Sequence, residues 1–342
     1  MFCISLFVSP ALFIIKENKK DILVCIFFLI TTVFFYFYGS SYKEKFNKLV
    51  VENHKFKVRV IASNIGLERF YNEIDTVSII QDLIKISDPK INEKTIFLWP
   101  EGMLPNISEE DLIEYSWLFK EKFNNNHLFI IGTNSQSDDN RSIKYFNSLT
   151  VYDSKLRVLN SYNKINLVPF GEFLPFEKIL KKIGLRSLTN NYQSFSKGEK
   201  REIINISKKN FSIKILPLIC YEIIYSGRIF NDNNFDLIVN ISEDGWFGKS
   251  IGPKQHLNHS VFRAVESGKY VVRSSNNGIA SIINPLGIIE QSVDFGQSGY
   301  IDLKEVNIIQ PTIFSKYGNK IFVLLILLYI FLIFSFNRMN NE

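Results

Sequence analysis

Leu216-Pro217-Leu218-Ile219-Cys220-Tyr221-Glu222 runs from apolar residues straight into a thiol, a phenol and a carboxylate. An apolar run this short, opening at Lys214 and closing on Cys220, reads as a strand with a polar tip. Two further segments set polar groups beside an apolar stretch in the same way. Ile96-Phe97-Leu98-Trp99-Pro100-Glu101 ends in a carboxylate. Tyr162-Asn163-Lys164-Ile165-Asn166-Leu167-Val168-Pro169-Phe170-Gly171-Glu172 offers an amine and a second carboxylate. Around them, strand-like runs at Val58–Ser63, Thr95–Trp99, Leu128–Thr133, Ser148–Tyr152, Asp236–Ile241, Tyr270–Ser275 and Ile279–Asn284 are mixed with helical periodicity at Val77–Ile86, Glu109–Phe123 and His256–Ser267. This intermixing predicts one α/β domain with a buried sheet core, not a bundle or an all-β sandwich. Residues just past strand ends gather at one rim of such sheets, where catalytic groups are displayed.

The ends of the chain differ from its middle. Of 342 residues 46% are hydrophobic and 31 are Phe, and the excess lies at the two termini. Ile22 to Tyr38 is apolar but for two threonines, just long enough for the roughly 17 to 25 residues of a bilayer-crossing helix. Residues 4–15 form a shorter apolar run, and Ile321 to Phe336 a second long one. A cleaved signal peptide fits poorly, because no small-residue cleavage site follows the first long run. The sequence therefore predicts membrane segments in 1–42, a catalytic domain over 50–312 and a C-terminal transmembrane helix over 319–338. Lys16, Lys19 and Lys20 before the first run are balanced by Lys43, Lys45 and Lys48 after it, so charge alone does not orient the domain.

The net charge of +6 is spread along the chain. No compact basic block is interleaved with aromatics, which argues against nucleic-acid binding. Of three cysteines, Cys3 and Cys25 lie in the apolar terminal stretches, leaving Cys220 as the lone thiol of the polar body. One thiol cannot staple a domain, and there is no Cys-x-x-Cys pair. Cys220 is either a small core residue or a nucleophile. His256 and His259 stand three apart without an acidic third ligand in a recognisable pattern, so no metal is expected. There is no Gly-x-Ser-x-Gly elbow, phosphate loop or dinucleotide fingerprint.

A carboxylate, an ammonium and a thiol form a workable set. A cation favours the thiolate, a carboxylate can carry its proton, and the cation can then stabilise an oxyanion. Each residue alone has an ordinary reading: Glu101 a turn residue, Lys164 a solvated lysine, Cys220 a strand-end filler. Their conjunction, with the flanking sequences, argues for a site.

Those flanks carry a resemblance. Trp99-Pro100-Glu101, Asn163-Lys164 with Asn166-Leu167-Val168-Pro169-Phe170-Gly171-Glu172, and Cys220-Tyr221-Glu222 resemble the motifs of the apolipoprotein N-acyltransferases, the membrane-bound branch of the nitrilase or carbon–nitrogen hydrolase superfamily. Asp244-Gly245-Trp246-Phe247-Gly248, Gln255-His256-Leu257, Arg263-Ala264-Val265-Glu266 and Arg273-Ser274-Ser275-Asn276-Asn277-Gly278 follow in order. The resemblance implies a nitrilase-like four-layer α-β-β-α sandwich flanked by transmembrane helices. It implies Glu101 as base, Lys164 as oxyanion partner and Cys220 as acyl-accepting nucleophile, supported by Glu172, Tyr221, Glu222 and Trp246. Glu172 would orient the lysine, Tyr221 and Glu222 would shape the pocket, and Trp246 would line an acyl-chain or lid region. The implied partners are a phospholipid acyl donor, a diacylated apolipoprotein acceptor and the lipid bilayer. The implied location is the bacterial inner membrane with the domain in the periplasm, and nothing demands a cofactor or more than a monomer. The chain departs from the family pattern at Glu243, where Asn is usual, and in lacking a multi-helix membrane domain before Glu101. A truncated or reduced homologue is thus expected, with a membrane-anchored amidase or an inactive remnant as the rival readings.

Overall fold

The computed structural model describes residues 19–49, 52–71, 75–138, 143–175, 194–208, 211–227 and 234–341. The apolar run at 4–15 and Cys3 lie outside them. The chain divides into two compact units, Met1–Val50 and Val51–Glu342. In the first, helix α1 (Lys19–Asn47) presents large apolar side chains, among them Phe27, Leu29, Phe34 and Phe37, to the outside.

Among its described residues the second unit has twelve strands: β1 (Glu52–Ala62), β2 (Thr95–Leu98), β3 (His127–Asp138), β4 (Ile143–Asp153), β5 (Val158–Asn163), β6 (Ile204–Lys208), β7 (Phe211–Ile219), β8 (Leu237–Glu243), β9 (Tyr270–Asn276), β10 (Ala280–Ile283), β11 (Ile289–Val293) and β12 (Gly299–Val306). They form two six-stranded sheets in the orders β12-β1-β2-β3-β4-β5 and β11-β10-β9-β8-β7-β6. Each has a parallel trio at its centre, β1-β2-β3 in one and β7-β8-β9 in the other, flanked by antiparallel neighbours. Parallel central strands need both faces covered, and their near-continuous apolar sequences provide for it. Between the sheets, Val58, Val60, Ile96, Leu98, Ile130 and Val151 meet Ile215, Ile219, Val239, Ile241, Val272 and Ile282. Burying each such side chain contributes about 1.5–3 kcal/mol.

The outer faces are closed separately. Helix α2 (Thr76–Ser87) is capped at its start by Asp75, whose side chain accepts from Val77 N–H. It packs Ile79, Ile80 and Leu83 with Phe97, Trp99 and Phe129 of the first sheet. Helix α3 (Gly252–Ser267) lays Leu257 and Ala264 against Leu218, Ile238 and Val271 of the second. The layers therefore run helix, sheet, sheet, helix, as a nitrilase-like α/β fold requires. Helices α4 (Ile313–Tyr317) and α5 (Lys320–Asn341) end the unit, and α5 also exposes apolar side chains such as Phe322, Leu324 and Leu328.

Three expectations need correction or qualification. The sequence does not predict the four outermost strands, β5, β6, β11 and β12; they are the sheet edges, where polar residues on an open face blur the apolar run. The helix expected over Glu109–Phe123 is a 3-10 segment confined to Asp111–Leu118. It gives way to turns that set Phe119 and Phe123 into an aromatic cluster with Trp99, Phe97 and Phe129. Finally, no helix among the described residues is long and apolar enough to cross a membrane. The expected spans within 1–42 and 319–338 are therefore not shown.

Candidate active site

Glu101 follows β2 through Trp99 and Pro100, Lys164 follows β5, and Cys220 follows β7. The indole of Trp99 is fully buried and donates to Ser87 Oγ at 3.0 Å, fixing the turn that carries Glu101. Gly132 on β3 lies beneath that turn. A Cβ there would stand 2.6 Å from Glu101 Cα, so no larger residue fits without moving the carboxylate. Glu101 Oε1 accepts from Asn147 Nδ2 at 2.7 Å and from Lys164 Nζ at 3.4 Å. Its Oε2 accepts from the backbone N–H of Glu243 at 2.9 Å.

Lys164, 1% exposed, reaches Glu172 Oε1 at 2.8 Å. Asn147 also donates to Glu172 Oε1, at 2.7 Å, so one amide and one ammonium serve two carboxylates. Glu172 Oε2 accepts from Val168 N–H at 2.8 Å, which closes its own loop. Burial pulls the ammonium of Lys164 towards neutrality, but Glu101 and then Glu172 outweigh it and hold its pKa well above the ordinary lysine value. Lys164 therefore favours its charged form.

Cys220 is partly buried and opens a short 3-10 turn, Cys220–Ile224. Its φ of 48° lies in the left-handed region, which costs an L-residue about 1–2 kcal/mol and is held only where neighbours enforce it. Burial, reinforced by the charge of Glu101, pushes the thiol above its ordinary pKa, and Lys164 only partly opposes this. Burial thus favours a resting thiol, whose proton must leave as it reacts.

The supporting residues fall into different places. Glu222 binds neighbouring segments together. It is fully buried, and its Oε1 accepts from Tyr162 Oη (2.7 Å), the N–H groups of Ile165 (3.0 Å) and Asn166 (3.1 Å) and Arg201 Nη2 (2.7 Å). Its Oε2 accepts from Ile219 N–H at 2.9 Å. One carboxylate thus ties the loop after Lys164 to the turn that carries Cys220. Tyr221 packs edge-on to Tyr225 at 5.6 Å. Trp246 is 54% exposed and lies against Phe70, with ring centroids 5.1 Å apart.

Several residues at the site carried no recognisable signal in the sequence. Asn147 and Arg201 are a plain amide and a plain cation in a chain rich in both. The Glu243 departure has its partner in Arg69, which is buried with it in a short ion pair and also donates to the carbonyls of Gly66 (2.6 Å) and Gly102 (2.8 Å). Burial raises the pKa of Glu243 despite Arg69. No cluster of three or more His, Cys, Asp or Glu that could hold a metal occurs among the described residues. His256 turns instead towards Asp244 and the backbone of Cys220.

The Carbon-nitrogen hydrolase family profile matches residues 96–306. An apolipoprotein N-acyltransferase of Bradyrhizobium diazoefficiens is 32% identical over 274 residues, covering 77% of this chain and 50% of that protein. One from Rickettsia typhi is 32% identical over 290 residues, covering 82% of this chain and 56% of that protein. The chain spans about half the length of the curated relatives it matches. A CN-hydrolase superfamily protein from Xanthomonas campestris shares the fold at 12% identity, with a TM-score of 0.50 over 78% of this chain and 94% of that one. The matched profile takes in more than half of the residues, Glu101, Lys164 and Cys220 among them, and the chain belongs to the carbon–nitrogen hydrolase family.

Proposed function

We propose that the chain transfers a fatty acyl group from a phospholipid, through a thioester on Cys220, to the N-terminal amine of a diacylglyceryl-cysteine apolipoprotein. The observation that carries this reading is Lys164, buried between Glu101 and Glu172 and within electrostatic reach of Cys220. The similarity to apolipoprotein N-acyltransferases supports the choice of acyl donor and acceptor.

In the first half-reaction Glu101 takes the thiol proton as Sγ attacks the ester carbonyl carbon. The C–S bond forms and the carbonyl electrons pass to oxygen, where the Lys164 ammonium and the Tyr221 backbone N–H stabilise the charge. Collapse breaks the acyl C–O bond, and Glu101 returns the proton to the departing glycerol oxygen, releasing a lysophospholipid. In the second half, the amine attacks the thioester. Glu101 takes a proton from nitrogen, the C–S bond breaks and the proton returns to sulfur, leaving an amide. A single nucleophile working in two halves gives ping-pong kinetics.

We assign the exposed Trp246, with Phe70 and Phe247 beside it, to the acyl-chain path. We further assign the apolar surfaces of α1 and α5 to the lipid bilayer of a bacterial inner membrane, with the catalytic domain on the periplasmic side; exposed apolar area of this kind marks an interaction surface.

The test is incubation with acyl-labelled phosphatidylethanolamine. The expected result is a hydroxylamine-sensitive acyl adduct that is absent in Cys220→Ser. Turnover of simple amides without lipid labelling would instead make the protein a hydrolase that uses water as acyl acceptor.

A further inference from the structure

A second buried charged cluster lies behind Cys220, and the reaction just described does not use it. It forms a circuit. Asn240 Nδ2 donates to the Leu218 carbonyl at 3.0 Å, and Asn240 Oδ1 accepts a short hydrogen bond from Arg273 Nη1. Arg273 Nη2 donates to Asp244 Oδ2 at 2.7 Å. Asp244 Oδ1 accepts from Ser242 Oγ at 2.7 Å and lies 2.9 Å from His256 Nδ1, which is also 3.1 Å from Arg273 Nη2. His256 Nε2 then lies 3.1 Å from the carbonyl oxygen of Cys220. The circuit begins and ends on two carbonyls of one strand tip, two residues apart. Its members come from β8 and the residue after it, β9 and α3, and all are buried. The ring of Phe247 covers His256 at 5.7 Å.

A carbonyl oxygen can only accept, so the hydrogen bond between Nε2 of His256 and Cys220 needs the hydrogen on Nε2. A trans peptide is planar, with its C=O and N–H pointing in opposite directions. Whatever holds the Cys220 carbonyl therefore also sets the direction of the Tyr221 N–H. We propose that His256 is a positioning residue: its hydrogen bond to the Cys220 carbonyl fixes the Cys220–Tyr221 peptide plane and aims the Tyr221 N–H at the developing oxyanion. The proposal rests on the reading of Cys220 as nucleophile and Tyr221 N–H as oxyanion donor. It also accounts for the left-handed backbone of Cys220, which this bond helps to enforce. A bond accepted at the carbonyl polarises the amide and strengthens its N–H as a donor.

Two substitutions separate the ring's contacts. In His256→Gln the side-chain amide sits where Nε2 was and can still donate to the Cys220 carbonyl. In His256→Asn it sits where Nδ1 was, keeping Asp244 and losing Cys220. The full chain is given p-nitrophenyl butyrate, and the burst of p-nitrophenolate reports acylation of Cys220. Alkylation of Cys220 by iodoacetamide, which forms no oxyanion, is measured alongside.

For His256→Asn the burst rate constant should fall by about 30-fold, less than the roughly 10²–10³-fold of an oxyanion donor lost outright, because the Tyr221 N–H is misaimed and not removed. The ester concentration giving half-maximal rate should stay within about twofold, since an interaction made only in the transition state is lost. Alkylation should also hold, and His256→Gln should recover most of the burst. An unchanged burst in His256→Asn overturns the proposal. So does a fall in alkylation matching that of the burst, which would mean a general loss of structure, or a His256→Gln that alkylates normally but stays as slow as His256→Asn. If the parent chain gives no burst, or one that survives Cys220→Ala, the nucleophile reading itself fails and takes the proposal with it.

Discussion

Two charged clusters flank Cys220, and they are built to different rules. On one side Glu101, Lys164 and Glu172 set two carboxylates against one ammonium, and they share Asn147 between them. Lys164 sits closer to Glu172, at 2.8 Å, than to Glu101, at 3.4 Å. Glu101 is therefore the member least committed to the ion pair. On the other side Asp244 is held by Arg273, Ser242 and His256 together. Burial alone would raise the pKa of Asp244, yet Arg273 and His256 bring it below the ordinary carboxylate range. A group that must move a proton needs spare capacity, whereas a group that must hold a position works best with none.

The largest effect that would break this contrast is Lys164→Met. It leaves Glu101 and Glu172 buried with no cation between them, and removing one partner of a buried pair costs about 3–5 kcal/mol. Thermal or urea unfolding should show that loss, and no acyl adduct should form. A substitution with near-wild-type stability would mean that the cluster is not charged as described.

Glu101→Gln is a sharper probe, because it keeps the shape and removes the proton acceptor. Single-turnover acylation should drop by about 10²–10⁴, the range for a positioned general base, with only a modest change in stability. The charge of Glu101 also raises the thiol pKa, so iodoacetamide should label Cys220 in this variant at least as fast as in the parent at pH 9. Slower labelling would show that Glu101 shapes the cysteine's surroundings more than it carries its proton.

The smallest effect is a pH profile. The folded thiol titrates above a free cysteine, so at any pH below its midpoint less thiolate is present than in a peptide. Alkylation should therefore be slow at pH 7–8 and still be climbing where a free thiol, with its pKa of about 8.5, has levelled off. A plateau by pH 8 would point to a preformed thiolate and against the need for Glu101.

The sequence showed the interior of this molecule better than its borders. The central strands are legible because a parallel strand buried on both faces must be apolar throughout, as Leu237-Ile238-Val239 and Phe97-Leu98 are. The edge strands have one or both faces open, as in Ile289-Glu290-Gln291-Ser292-Val293, and their pattern resembles a loop. The aromatic packing of Phe119 and Phe123 likewise outweighed the helical periodicity before them.

For the site, the ends of apolar runs announced Glu101 and Cys220, since a polar group closing such a run is conspicuous, whereas Lys164 stood out only through its flanking motif, because β5 before it is not an apolar run. Asn147 lies inside β4, where alternation sends a polar residue inward without notice. Glu222 was visible as a residue but not as a tie between loops, because four of its five partners lie 21 to 60 residues away in the chain. His256 offered a spacing that could suggest a metal, while its actual partners sit just past β7, just past β8 and on β9.

The turn that carries Glu101 lies so close over Gly132 that β3 has no room for a side chain there. One added methyl there would act as a doorstop under the carboxylate of Glu101, lifting it from Lys164 and from the Glu243 amide without altering a single charge. The protein could thus be silenced from the neighbouring strand by a change that no electrostatic inspection of its acidic and basic residues would flag.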